Sequence, residues 1–229
     1  MAFNKIITDS APWTKYSQQA KENATEIYGV LYNSYGWTLN AVCGALGSMS
    51  NESYLNPGQY ELGHGTPTNP WGYGYGVGLI QFTSPDVSNY PNPWLYWCQQ
   101  NNVAIDDGYE QLRLCDNAED PAYQSMGLSE GIWGWLTTSQ YPMHLSEYKV
   151  STLAPSYLAQ VWFHNLERPP AGDTTESQRM TDANYWYQYL SGQDPPDPGP
   201  GPGPGPHPTP TGSKKMPLWF YLKHPYRRF

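Results

Sequence analysis

From Pro195 to Gly212 the chain is dominated by alternating proline and glycine, and this run limits what the rest of the molecule can build. Proline lacks a backbone donor and glycine brings no side chain to bury, so the segment cannot join a core. It is expected to be an extended, polyproline-like spacer. A collagen reading fails because the repeat has period two, not three. Three units are therefore expected: a body over residues 1–192 closed by Gly192, a Pro/Gly-rich linker over 193–212, and a basic aromatic tail over 213–229.

Charge divides along the same line. All 20 acidic residues lie at or before Asp197, with only seven of the 12 basic ones, while the tail carries Lys214, Lys215, Lys223, Arg227 and Arg228 and no acid. An acidic body argues against nucleic acid as a partner. The tail, with Trp219, Phe220 and Tyr221 among its cations, could dock on a membrane surface, a wall polymer or a partner protein, or simply stay solvated. Ten Trp and 20 Tyr beside 14% charged residues suit a folded body whose rings meet flat polar ligands such as sugars. For any single ring, burial in the core is the simpler reading.

Cys43, Cys98 and Cys115 show no CxxC spacing, so neither a metal site nor a disulfide framework is expected; one Cys98–Cys115 bridge stays open. No cofactor is implied. Met1–Asp9 lacks the apolar stretch of a signal peptide, and no segment reaches the length of a membrane-spanning helix.

The body reads as mainly helical. Ser10 to Trp13 looks like a helix start, followed by the stripe Tyr16, Ala20, Ala24, Ile27, Tyr28, Leu31 and Tyr35 up to Gly36. Further helices are expected at Pro93–Gln100, around Tyr109–Leu114, at Ser146–Lys149, at Pro155–Glu167 and at Gln178–Leu190. Gly58 to Pro93 is rich in Gly, Pro, Asn and aromatic residues and reads as loops with a short sheet. Leu128–Leu136 is apolar enough to be buried or to line a cleft.

One carboxylate stands out against this pattern. Leu39, Val42, Cys43, Leu46 and Met49 form a helical stripe stopped by Asn56-Pro57-Gly58, and Glu52 continues it three residues after Met49. A carboxyl held against apolar surface keeps its proton to higher pH, which suits a general acid. Cys43 as a peptidase nucleophile, with His64, His144 or His164 as base, is a poor alternative, because it sits mid-helix among apolar neighbours. The histidines have no zinc-hydrolase spacing either.

The run Gly44–Gly58 around Glu52 resembles the catalytic motif of the phage tail lysozyme family, part of the lysozyme-like superfamily. Three more stretches follow in the family's order: Gly76–Thr83 resembles its Gly-Leu-x-Gln-aromatic segment, Leu158–Pro169 its late helix ending in Glu-Arg-Pro, and Arg179 with Ala183–Tyr187 its closing helix. The resemblance spans residues 15–190. Ser48-Met49-Ser50 departs from the Asn-Met-Gln that members often carry.

What the resemblance implies is an α+β, mainly α-helical lysozyme-like fold with a small β-hairpin or sheet beside the cleft, and a phage enzyme that cleaves the glycan strand of bacterial peptidoglycan. Glu52 becomes the general acid. Glu61, nine residues on, resembles the second carboxylate of phage lysozymes of the T-even type, and Asp86 is the other candidate. Gln81 is expected near the sugar, with Tyr73, Tyr75 and Phe82 stacking on pyranose faces beside glycines that let the backbone approach the glycan. Muramidase and lytic transglycosylase both fit, as do a virion tail component, contacting other tail proteins or the cell surface through its basic tail, and an enzyme released from the host cytoplasm at lysis. A lysozyme-like module kept only for glycan binding or tail structure is the non-enzymatic alternative.

Overall fold

The structure, a computed structural model, describes residues 1–84, 92–126, 133–169 and 172–192. Asp86, the first part of the Leu128–Leu136 stretch, and the expected linker and tail lie outside the described residues. Among the described residues the chain is mainly helical. The helices are α1 (Gln18–Tyr28), α2 (Leu39–Ser53), α3 (Pro93–Asn101), α4 (Gly108–Asp116), α5 (Pro121–Gln124), α6 (Leu145–Lys149), α7 (Pro155–Trp162) and α8 (Glu176–Leu190). Wider π-helical turns extend α1 over Gly29–Ser34 and α7 over Phe163–Glu167. No described helix is long and apolar enough to cross a membrane.

Helix α2 is the hub. The sequence predicts one apolar stripe, but every residue from Ala41 to Ser50 is buried. Helices α7 and α8 pack on it, and two glycines set how closely. A Cβ on Gly44 would lie 2.7 Å from Leu158 Cβ, and one on Gly47 would lie 2.4 Å from the carbonyl oxygen of Arg179. Both distances are inside van der Waals contact, so any larger residue would push α7 or α8 away. Thr38 caps the start of α2, its hydroxyl accepting from the Ala41 N–H at 3.2 Å. The helix ends at Ser53, ahead of the expected Asn56-Pro57-Gly58 stop, because Tyr54 and Leu55 adopt left-handed φ values of 53° and 62°. Their carbonyls are pinned by Trp13 Nε1 and Asn23 Nδ2, each donating at 2.8 Å.

The helix start expected at Ser10–Trp13 does not form; α1 begins at Gln18 under a Ser17 cap. Long-range bonds take over the preceding segment. Thr8 bridges to Gln59, Trp13 reaches Tyr54, and Lys15 and Tyr16 both reach Asp182. The α1 stripe itself is as expected, with Ala20, Ala24, Ile27 and Leu31 fully buried.

Between α2 and α3, no regular strand forms among the described residues. Three isolated bridges occur: Thr8–Gln59, Tyr60–Val77 and Val77–Phe82. Buried side-chain amides satisfy backbone groups that a sheet would otherwise pair. Gln111 donates to the Pro57 carbonyl at 2.8 Å and accepts from the Leu79 N–H at 2.7 Å. Asn92 donates to the carbonyls of Tyr75 and Phe82 while capping α3. Cys43, Cys98 and Cys115 are buried, free thiols, so the Cys98–Cys115 bridge is absent; the three occupy separate places in the core on α2, α3 and α4.

Candidate active site

A cleft of about 330 Å³ opens where the end of α2, the π-helical turn after α7 and the start of α8 face the loop segments 61–62 and 80–83. Glu52 stands in the last turn of α2 with 23% of its side chain open. Its surroundings differ from the apolar wall that the sequence suggests. Nη2 of Arg179 lies 2.5 Å from Glu52 Oε1, and Nη1 of the same guanidinium lies 3.0 Å from Glu167 Oε2. Arg179 also donates to the Ser48 carbonyl at 3.1 Å and sits 4.2 Å over the Phe163 ring.

These groups are enclosed: the Arg179 side chain is 5% exposed and Glu167 7%. Burial opposes the charge on Arg179, but its two carboxylate neighbours outweigh that and raise its proton affinity further. Burial pushes the Glu167 carboxyl up to about 8, with Arg179 opposing and the charge of Glu52 adding to the rise. Glu167 Oε1 accepts from Trp162 Nε1 at 3.0 Å. Its Oε2 is at ion-pair distance from Arg179 but outside hydrogen-bonding alignment, and the Ser48 hydroxyl lies beside the carboxyl.

Asp182, fully buried on α8, ties the last turn of α2 in place. It accepts from Asn51 Nδ2 at 2.6 Å, Lys15 Nζ at 2.9 Å, Gln178 Nε2 at 2.7 Å and the Tyr16 hydroxyl. Asn51 precedes Glu52, so this cluster fixes the backbone from which Glu52 projects.

The opposite wall is made of loop. Glu61, 27% exposed, accepts from the Gly76 N–H at 2.9 Å and lies 3.7 Å from His64 Nε2. Gln81 lines the cleft with φ at 50°, and its amide donates to the carbonyls of Gln59 and Gly78 at 3.1 and 3.0 Å. Phe82 also lines the cleft but is 1% exposed, its ring lying between Trp94 and Trp133. Thus Glu52, Glu61, Gln81 and Phe82 come together.

Tyr73 and Tyr75 pack away from the cleft. Tyr73 is buried against Tyr60 and Tyr75, and burial raises its phenol; Tyr75 stacks on His64 at 3.9 Å. The glycines nearby make room for the protein itself, since a Cβ on Gly78 would meet Gln111 Oε1 at 2.6 Å.

Glu167 and Arg179 lie in stretches that resemble the family's, and Trp133 in the stretch expected to be buried or to line a cleft, but the sequence gives none of them a role in the site; Asp173, also in the cleft, lies in no such stretch. Arg179 had a readable signal, because Arg179, Ala183 and Trp186 fall on one helical face and all three are buried. Asp173 has none; it sits in the loop before α8, bonded to the Thr175 N–H and hydroxyl at 2.7 Å. Non-glycine residues with positive φ gather here: Tyr54 and Leu55 follow Glu52, and Gln81 and Arg168 line the cleft. Strained backbone of this kind concentrates at functional sites.

The Cys43 alternative loses further ground: burial drives its thiol well up, and each of the three histidines faces a glutamate, His64 with Glu61, His144 with Glu119 and His164 with Glu176. Among the described residues, no group of three or more His, Cys, Asp or Glu is placed to hold a metal ion.

A family model for phage tail lysozyme matches residues 22–190, which takes in Glu52, Glu61, Glu167 and Arg179. Morphogenesis protein 1 of Bacillus phage B103 is 29% identical over 163 residues, a match that covers 69% of this chain and 36% of that protein. The chain therefore spans about a third of the length of that curated relative. With the matched region running from α1 to the end of α8, the chain belongs to the phage tail lysozyme family.

Proposed function

We propose that the cleft cleaves the β-1,4 bond between N-acetylmuramic acid and N-acetylglucosamine in bacterial peptidoglycan, with Glu52 as general acid. The observation that carries this reading is a partly open carboxyl at the end of a rigid, buried helix, facing a cleft lined by both acids and aromatic rings. Glycosidic cleavage needs a proton for the leaving oxygen and stabilisation of an oxocarbenium-like sugar. Glu52 supplies the proton, and Glu61 on the facing wall supplies the negative charge or the base. Gln81 and Phe82 shape the sugar-binding floor between them.

The comparison favours a place in the virion, because the matched relative is named as a morphogenesis protein and the family is one of phage tails. On this reading the enzyme opens the wall at infection. The basic residues between Lys214 and Arg228 attach it to anionic wall polymer or to the particle. Removal of residues 195–229 is expected to weaken binding to purified walls while sparing cleavage of soluble glycan fragments.

The deciding experiment digests purified peptidoglycan with the parent and with Glu52→Gln and identifies the new sugar ends by mass spectrometry. The parent is expected to release muramic acid termini, reducing for a hydrolase or anhydro for a transglycosylase, and Glu52→Gln to release almost none. Equal release by both proteins removes Glu52 from the chemistry. Wall binding by the parent without any new termini makes the domain a glycan-binding module.

A further inference from the structure

Glu52 is not alone with its counter-ion. Arg179 reaches Glu52 with one guanidinium nitrogen and Glu167 with another, so one cation stands between two carboxyls. The two acids differ in access: Glu52 opens to the cleft, whereas Glu167 is nearly closed off. We propose that Glu167 is a positioning residue for Glu52, the two carboxyls sharing one proton across Arg179, so that Glu167 takes over the cation whenever Glu52 carries the proton. The inference rests on Glu52 being the acid in the proposed reaction.

The charge count makes the exchange inexpensive. One guanidinium and two carboxyls with a single proton are neutral overall, whichever carboxyl holds that proton. A general acid paired with an arginine and nothing else would be held in its ionised form, since a neighbouring cation favours the anion. A second carboxyl on the same cation removes that bias. Both carboxyls line the cleft, so each exchanges its own proton with water there, Glu52 on its open side and Glu167 through its small exposed fraction, and no direct transfer between them is needed.

Other groups around Glu167 do not compete for this proton. From α2 it meets Glu52 and Ser48, from α8 Arg179, and from its own helix Trp162. Its charge also reaches Cys115 on α4 and Tyr148 on α6, and burial keeps both of those neutral. Asp173 acts on Arg179 from the loop before α8. The Oε2 of Glu167, 3.0 Å from Arg179 but outside hydrogen-bonding alignment, fits a carboxyl whose partner changes with protonation state.

Two measurements test the proposal on the full chain. The first follows the side-chain carboxyl carbons of Glu52 and Glu167 by NMR through an acid-to-alkaline titration and needs no enzymatic activity. In the parent the pair is expected to titrate in two linked steps, the upper one above the ordinary carboxylate range. Glu52→Gln is expected to lower the Glu167 step by about one pH unit, because a neighbouring negative charge is gone. Two independent steps, with Glu167 unmoved by loss of Glu52, overturn the proposal even if the domain proves to cleave nothing.

The second is the pH profile of glycan cleavage by Glu167→Gln. With a permanently neutral partner, Arg179 belongs to Glu52 alone, so the alkaline limb is expected to fall by about one pH unit at unchanged KM. Glu167→Asp is expected to restore the limb. An even loss of activity across pH, with the limb unmoved, assigns Glu167 a purely structural role and sinks the proposal. Should Glu167→Gln fail to fold, the Glu52→Gln titration decides alone.

Discussion

The two walls of the cleft hold their carboxylates by different physics. Glu52 projects from a helix buried along most of its length, with α7 and α8 seated on glycines and with Arg179 and Asp182 locking its last turn. Glu61 projects from a loop whose shape comes from isolated bridges and from amide side chains such as Gln111 and Asn92. One wall is set by close packing, which tolerates little change in volume, and the other by individual hydrogen bonds that can be removed singly.

The largest effect expected is on chemistry at the packed wall. Glu52→Gln should lower kcat on the order of 100- to 10,000-fold, the usual contribution of a general acid. Glu61→Gln, on the loop wall, should cost about 100-fold with the fold intact, read by the same sugar-end assay. An unchanged kcat for Glu61→Gln would leave that residue a structural partner of Gly76.

Glu167 gives the next effect, and its sign is fixed by linkage. Its carboxyl binds protons more tightly when folded, rising from 4.5 to about 8, so its contribution to stability falls as pH rises through that window. Urea denaturation at a series of pH values should therefore show the stability of Glu167→Gln rising relative to the parent from pH 5 to pH 8. A difference independent of pH would mean that the buried carboxyl is not protonated in the folded state.

Packing against bonding is compared directly by two further changes. Gly47→Ala forces a methyl into the Arg179 backbone and should cost about 3 kcal/mol, with a matching loss of activity as Arg179 shifts. Gln111→Ala strips bonds from the loop wall and should cost about 2 kcal/mol. If the loop substitution proves the more damaging, the contrast between the walls is wrong. The smallest effect is expected from Tyr75→Phe, which alters a ring stacked on His64 away from the cleft and should leave KM within about twofold.

Much of the packed wall could be read in advance. The stripe from Leu39 to Met49 located α2 and put Glu52 at its end, and Pro155–Glu167 and Gln178–Leu190 located the two helices that cover it. The loop wall was legible only as loop. Tyr73 and Tyr75 carry the same local signature as cleft aromatics, but nothing in the spacing says that one is enclosed by Tyr60 and the other covered by His64. The Ser10 cap failed for a related reason: Thr8, Trp13 and Tyr16 are drawn to partners 41 to 166 residues away.

By itself, the amino-acid sequence determined which segments become helices and that an acid ends the central one, because apolar periodicity and capping act over a few neighbouring residues. Only the tertiary structure decided what that acid meets. Ser48, Glu52, Glu167 and Arg179 come from three separate stretches of chain, and the burial that tunes their charges exists only once α2, α7 and α8 have closed around them. Electrostatics in a protein depends on distance through space and on exclusion of water, and neither is written in the order of the residues.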